Sequence, residues 1–326
     1  MLANFKKTRT GLIVATLCLS MLTAGCTDTA QLKQDMLQAA AKQEQVTSYR
    51  FNGSLQLKAD ATLLGQSGPM ALALFSLLKD SKLEYSGLTA MEPSRMESDL
   101  KVTPAGGTAI EIPVLIKDSK LFFHMPPLNK PDEYMMLPIA AAKSAASAGS
   151  SPAGPESLKN TGRVTSDLSK KLWEGVDPKW LTSPKETVQL SDGSPGKKIT
   201  LNVNSKNEKA FNDYWSTAVP GLIDILKTNG LAGSANAEAW TNTLKQIKLK
   251  APSAIDIVID NQGFIREQRW DLTFTSGSST NENKLLWTQS LTELNQAPSF
   301  TKETPAKQKS LEELLKLIKP AAAAQK

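Results

Sequence analysis

The chain has 326 residues, a formal net charge of +6, a single histidine and two cysteines. The mild charge falls to about +3 once residues 1–25, which hold three positive charges and no negative one, are set aside. That does not argue for nucleic acid, which demands a concentrated basic patch, and no nucleic-acid partner is expected. The lone His124 has no Gly-x-Ser-x-Gly beside it, and no metal-binding motif is visible, so no catalytic, metal or cofactor residue is assigned and no enzyme is expected.

Lys6, Lys7 and Arg9 open the chain as a basic segment without an acid. The apolar stretch at 11–22 is shorter than the roughly 20 residues a membrane-spanning helix needs, and suits the apolar region of a signal peptide. It runs into Leu22, Thr23, Ala24, Gly25 and Cys26. Small residues before a cysteine are what a lipidating and cleaving enzyme pair requires. This stretch resembles the signal of bacterial lipoproteins, departing from it at Thr23, where that family most often has Leu. The resemblance implies a signal peptide at 1–25 and a diacylglyceryl group on Cys26. The chain is then held at the outer face of a membrane, since two acyl chains at about 0.8 kcal/mol per buried methylene hold firmly. Thr27 gives no retention signal of the Asp kind, and the style of the signal fits a Gram-positive surface. Cys18 leaves with the signal, so the mature domain has no disulfide and must be held by its core.

Residues 30–46 carry Leu32, Met36, Ala39, Ala40 and Val46 near one stripe of period 3.6 and predict a helix, making 26–47 a lipidated tether plus helix. Residues 48–58 alternate, with Tyr49, Phe51, Leu55 and Leu57 on one face and Arg50, Asn52 and Gln56 on the other. The apolar run at 61–79, with a helix expected from Pro69, reads as a lid or plug. Strands follow at 81–87 and 95–102, then a hairpin at 109–125 turning at Asp118 and Ser119, then a short strand at 134–138. His124 reads as a structural residue at a strand end. Residues 140–157 are a low-complexity insertion.

A helix through Leu168, Leu172 and Trp173 is expected next, then a strand at 197–204. Residues 206–229 give the strongest helical pattern, with Phe211, Trp215, Val219, Leu222, Ile223 and Leu226 on one face and Pro220 expected to kink or split it. Trp240, Leu244 and Ile247 mark another helix. Residues 254–260 and 264–275 alternate around a turn at 261–263, and Leu285, Trp287 and Leu291 belong to a last strand or two. The body ends near 300. A linker and a peripheral helix over 310–319, with Ser310 and Glu313 as its capping box, complete the chain at 301–326.

The pattern predicts an α+β fold with a large antiparallel sheet. In layout the chain resembles the LolA and LolB lipoprotein carriers and the LppX-type mycobacterial lipoproteins, and that resemblance implies that the sheet is curved into an open half-barrel with helices packed on its concave face. The lipobox, the helix at 30–46, the strand at 48–58, the hairpin at 109–125 and residues 254–275 carry that resemblance. It implies a hydrophobic cavity between sheet and helices that binds acyl chains or a lipidated partner, with Phe51, Leu55, Phe123, Trp215, Trp270 and Phe274 as candidate lining residues. Met70, Met91, Met96, Met125, Met135 and Met136 are candidates for an adaptable wall. Two other classes stay open. One is an envelope scaffold with a filled core that docks a protein partner through an exposed apolar patch. The other is an enzyme built on a buried carboxylate pair, for which Asp256 and Asp260 are the nearest candidates.

Overall fold

A computed structural model of the chain describes residues 28–60, 79–126, 129–139, 161–277 and 279–310. The signal segment with Cys26, the run at 61–78 with Met70, the insertion at 140–157 and the helix expected beyond Ser310 lie outside the described residues.

Among the described residues one sheet dominates. Its order is β13–β6–β5–β4–β3–β2–β1–β12–β11–β10–β9–β7, with β8 also on β9, and its two edges do not meet. The strands are β1 (Ser48–Lys58), β2 (Lys82–Ala90), β3 (Arg95–Thr103), β4 (Ile110–Lys117), β5 (Lys120–Phe123), β6 (Glu133–Pro138), β7 (Leu181–Thr182), β8 (Val188–Gln189), β9 (Pro195–Val203), β10 (Ile247–Asp260), β11 (Ile265–Ser276), β12 (Asn283–Thr292) and β13 (Lys307–Ser310). Every pairing between these strands is antiparallel except β13 on β6. This is the expected α+β fold: the antiparallel sheet that the alternation predicts, open as the half-barrel that the resemblance implies. The turn between β4 and β5 is Asp118 and Ser119, both at positive φ, the backbone of a two-residue hairpin turn whose twist matches its strands. At the β10–β11 turn the Asp260 carboxylate accepts from the backbone N–H groups of Gln262 and Phe264, and Gly263 takes the positive φ.

Among the described residues four helices lie on the concave face: α1 (Thr29–Lys42), α2 (Thr161–Glu174), α3 (Glu208–Thr228) and α4 (Ser234–Gln246). Asp28 caps α1 by accepting from the N–H groups of Ala30 and Gln31. The α1 stripe buries Leu32, Met36, Ala39 and Ala40 against a core that includes Trp173, Leu181, Ile199 and Ile257. Helix α3 runs unbroken through Pro220, so of the kink or split expected there the split does not occur. Proline removes one backbone bond there, but Ala218, Val219 and Ile223 are buried on either side of it and hold the helix together.

Two further expectations are corrected. Ile247 opens β10 instead of closing a helix, and β10 reaches back to it across an irregularity between Lys250 and Ala254. Pro252, which has no N–H for the ladder, sits in that irregularity, where the Ser253 hydroxyl donates to the carbonyls of Lys250 and Thr273. The segment from 301 is not a free linker. Residues 301–302 are bonded to Glu97 of β3, and Ser310 ends strand β13. His124 is structural: its Nδ1 bonds the Glu133 carbonyl at 2.8 Å and its ring packs on Tyr134.

Candidate functional site

Helix α3 is stitched to the sheet where β9 has run out. β9 pairs with β10 only from Ser253 onward, so the backbone of Leu249 and Ala251 faces no strand on that side. Asn212 supplies the missing partner, accepting from Leu249 N–H at 2.8 Å and donating to its carbonyl at 3.0 Å. Glu208 does the same one turn earlier, accepting from Ala251 N–H at 2.9 Å and from Lys250 Nζ at 3.0 Å. Those two bonds hold its carboxyl below the usual range, against the cost of burial. The Trp215 indole N–H donates to the carbonyl of Leu244 in the last turn of α4, which also accepts from the Ile247 backbone N–H that closes the helix. Tyr214 lies over Gly175, where a Cβ would collide with its ring, and its hydroxyl donates to the Leu172 carbonyl. Burial pushes that hydroxyl up to about 12, with the Glu174 charge adding to it.

Held off the sheet in this way, the helices enclose a cavity of about 400 Å³. Its floor is the concave face of β9–β12, with Leu201, Ile255, Trp270 and Leu285 among the lining residues. Its roof takes Leu168 and Leu172 from α2, Phe211, Trp215 and Leu222 from α3, and Leu244 from α4. Successive members on α2 and α3 are four or seven residues apart, one face of each helix. Ser169 and Gln268 are the polar side chains of the lining, apart from the indole nitrogens. The Trp270 Nε1 is buried and has no hydrogen-bond partner.

Of the residues singled out from the sequence, Trp215, Trp270 and Phe274 line this cavity. Phe51, Leu55 and Phe123 do not. They lie on the same face of the sheet, but on strands beyond the cavity. Phe51 packs between Tyr49 and Tyr85, Leu55 pairs with Trp287 and Leu83, and Phe123 joins a second apolar cluster around Val102, Ile112 and Val114. Of the candidate methionines within the described residues, Met91, Met96, Met125, Met135 and Met136, none lines the cavity: Met96 and Met125 pack on that second cluster, and Met135 is buried on β6 beside Phe123. The roof residues Leu168, Leu172, Leu222 and Leu244 were missed as lining, although their helical spacing was the available signal.

Asp256 and Asp260 do not form a pair. Asp256 binds Lys198 and Thr200, and Asp260 binds Arg266. Among the described residues no group of three or more His, Cys, Asp or Glu could hold a metal ion, and no helix is long and apolar enough to cross a membrane.

No family model matches the chain, and no curated protein matches it in sequence. Among solved structures it is similar to the lipoprotein LppX of Mycobacterium tuberculosis, at 11% identity and a TM-score of 0.39, over 83% of this chain and 98% of that one. It is also similar to LprF from Mycobacterium bovis, at 10% identity and a TM-score of 0.38, over 84% of this chain and 97% of that one.

Proposed function

We propose that this chain is an extracytoplasmic lipoprotein, anchored through a diacylglyceryl group on Cys26, that binds an apolar ligand of the acyl-chain kind between its sheet and its helices. The observation that carries the ligand reading is the size and lining of the cavity. Protein interiors hold few voids larger than a water molecule. An apolar cavity of about 150 Å³ already takes up benzene. At about 400 Å³ with an almost wholly apolar lining, this cavity is well beyond a packing defect and within the range of ligand pockets. Transfer of apolar area from water supplies the affinity, at about 25 cal/mol per Å².

Native mass spectrometry of the purified chain, followed by organic extraction, tests this. An apolar molecule retained at near one per chain is expected. A mass that stays bare after incubation with membrane lipids overturns the reading and shifts the weight to a scaffold that docks an envelope protein.

The anchor reading has its own test. Asp28, the cap of α1, is two residues past Cys26. An extended chain spans at most about 3.6 Å per residue, so a lipid on Cys26 puts the start of the fold within about 7 Å of the membrane surface. Metabolic labelling with radioactive palmitate is expected to mark the wild-type chain in the membrane fraction. Cys26→Ser should take no label; a labelled Cys26→Ser chain would show that the acyl group sits elsewhere.

A further inference from the structure

The apolar side of the sheet does not stop where the cavity stops. Directly opposed residues run in one line across it. On β9, β10 and β11 the line is Leu201, Ile255 and Trp270, all lining the cavity. It continues through Trp287 of β12 to Leu55 of β1, and from there to Leu83 and Val102. Those last two belong to the second apolar cluster, which adds Ile112 and Val114 of β4. One concave face therefore carries two apolar regions, and the cavity occupies only the first.

What stands between them is aromatic. Trp270 and Trp287 meet edge to face, with ring centroids 5.2 Å apart and planes at 87°. Trp287 is itself held: its Nε1 donates to the Tyr85 hydroxyl at 2.7 Å, and that hydroxyl donates to the Thr288 carbonyl at 3.2 Å. The Tyr85 ring reaches this position by lying across β1 at Gly53, where a Cβ would collide with both the ring and the Thr288 carbonyl. A glycine inside a strand weakens it and marks a close approach; here the close approach is the phenol that fixes Trp287. An indole backed by a second indole, itself pinned by a phenol whose hydroxyl is bonded to the backbone, is a wall that does not yield to a flexible chain.

We propose that the Trp270–Trp287–Tyr85 row is the end wall of the cavity and determines the longest apolar chain it accepts. This rests on the reading of the cavity as a ligand site. A chain lying on the floor meets the Trp270 indole, and carbons that would pass it are blocked by the aromatic row from the second apolar region behind it. Each methylene buried before the wall raises affinity by about fourfold, and each one after it adds nothing. The second apolar region stays out of the ligand's reach.

The test is a competition series on the full chain. N-phenyl-1-naphthylamine, which fluoresces in apolar sites, is displaced by saturated fatty acids of increasing length, and the length at which affinity stops rising is recorded. In Trp287→Leu, which removes the backing of the wall without altering a lining residue, that break is expected at longer acids. Acids two methylenes past the wild-type break should then gain about fifteenfold. Leu272→Phe adds bulk on β11 in front of the wall and is expected to move the break to shorter acids, which keeps the idea exposed to failure if Trp287→Leu does not fold. A break at the same length in wild type and in a folded variant overturns the wall while leaving the cavity reading intact. Absence of saturable displacement by any acid in the wild type removes the cavity reading, and the wall with it.

Discussion

Glu97→Ala is expected to destabilise the fold by about 3–5 kcal/mol, the cost of removing one member of a buried charged pair, with a fall in Tm of roughly 10 °C. The Glu97 side chain on β3 is only 4% exposed and serves four donors. It accepts from the backbone N–H groups of Thr301 and Lys302 at 2.9 Å each, from the Thr301 hydroxyl at 3.3 Å and from Arg95 Nη2 at 2.8 Å. Arg95 in turn donates to the Lys302 carbonyl and stacks on the Phe300 ring. One carboxylate thus fastens the chain at 300–302 to the convex face, before that chain goes on to β13 at the sheet edge. Its loss leaves two N–H groups and a largely buried guanidinium without this acceptor, which costs more than a missing surface bridge.

Limited trypsin digestion should show cleavage at Lys302 and Lys307 well before the body unfolds; unchanged protection there would show that β13 alone holds the segment. Acid should act in the same direction. Burial raises the Glu97 pKa, but the N–H groups of Thr301 and Lys302 and the Arg95 charge outweigh it and leave it below the ordinary value. A carboxyl depressed in the folded state contributes stability that is full above its unfolded value, about 4.3, and is lost as pH falls through the folded one. The gap in Tm between wild type and Glu97→Ala should therefore narrow below about pH 4.

The reach of the sequence had a physical limit, and the C-terminal segment illustrates it. Alternation of apolar and polar residues is a local signal, and it located β1, the β4–β5 hairpin and the β10–β11 turn because each buries one face. Strand β13 is Lys307, Gln308, Lys309 and Ser310, which has no apolar face to alternate. It exists through backbone bonds to β6, and such bonds leave no trace in side-chain type. β10 was cut short at its N-terminal end because the irregularity around Pro252 interrupts its pattern.

The same division explains the cavity. The five candidates on strands, Phe51, Leu55, Phe123, Trp270 and Phe274, all lie on the correct face, because strand parity is local. Which of those strands the helices cover is decided by contacts between residues far apart in the chain, such as Asn212 with Leu249. That is why Trp215, Trp270 and Phe274 meet at the cavity while Phe51, Leu55 and Phe123 do not.

Leu249→Trp is expected to abolish ligand retention, by at least a hundredfold in affinity, while leaving stability within about 1 kcal/mol of wild type or above it. Leu249 sits on the cavity floor directly opposite Phe274, and its backbone bonds to Asn212 do not involve the side chain that changes. Tryptophan suits a strand, and the added ring has open volume in front of it. The two functional readings part at this position. In a filled core, extra side-chain volume forces neighbours off their rotamers and costs about 1–3 kcal/mol, with no ligand to lose. In a ligand cavity, the indole takes the place of the bound chain, so apolar surface stays covered and the binding site disappears. Thermal melting together with native mass spectrometry of the same sample reads both quantities. A variant that melts far below wild type, in a protein from which no apolar molecule was ever recovered, would make this a scaffold with a packed core. A variant that melts with wild type or above it and has lost its ligand assigns the space between sheet and helices to the ligand.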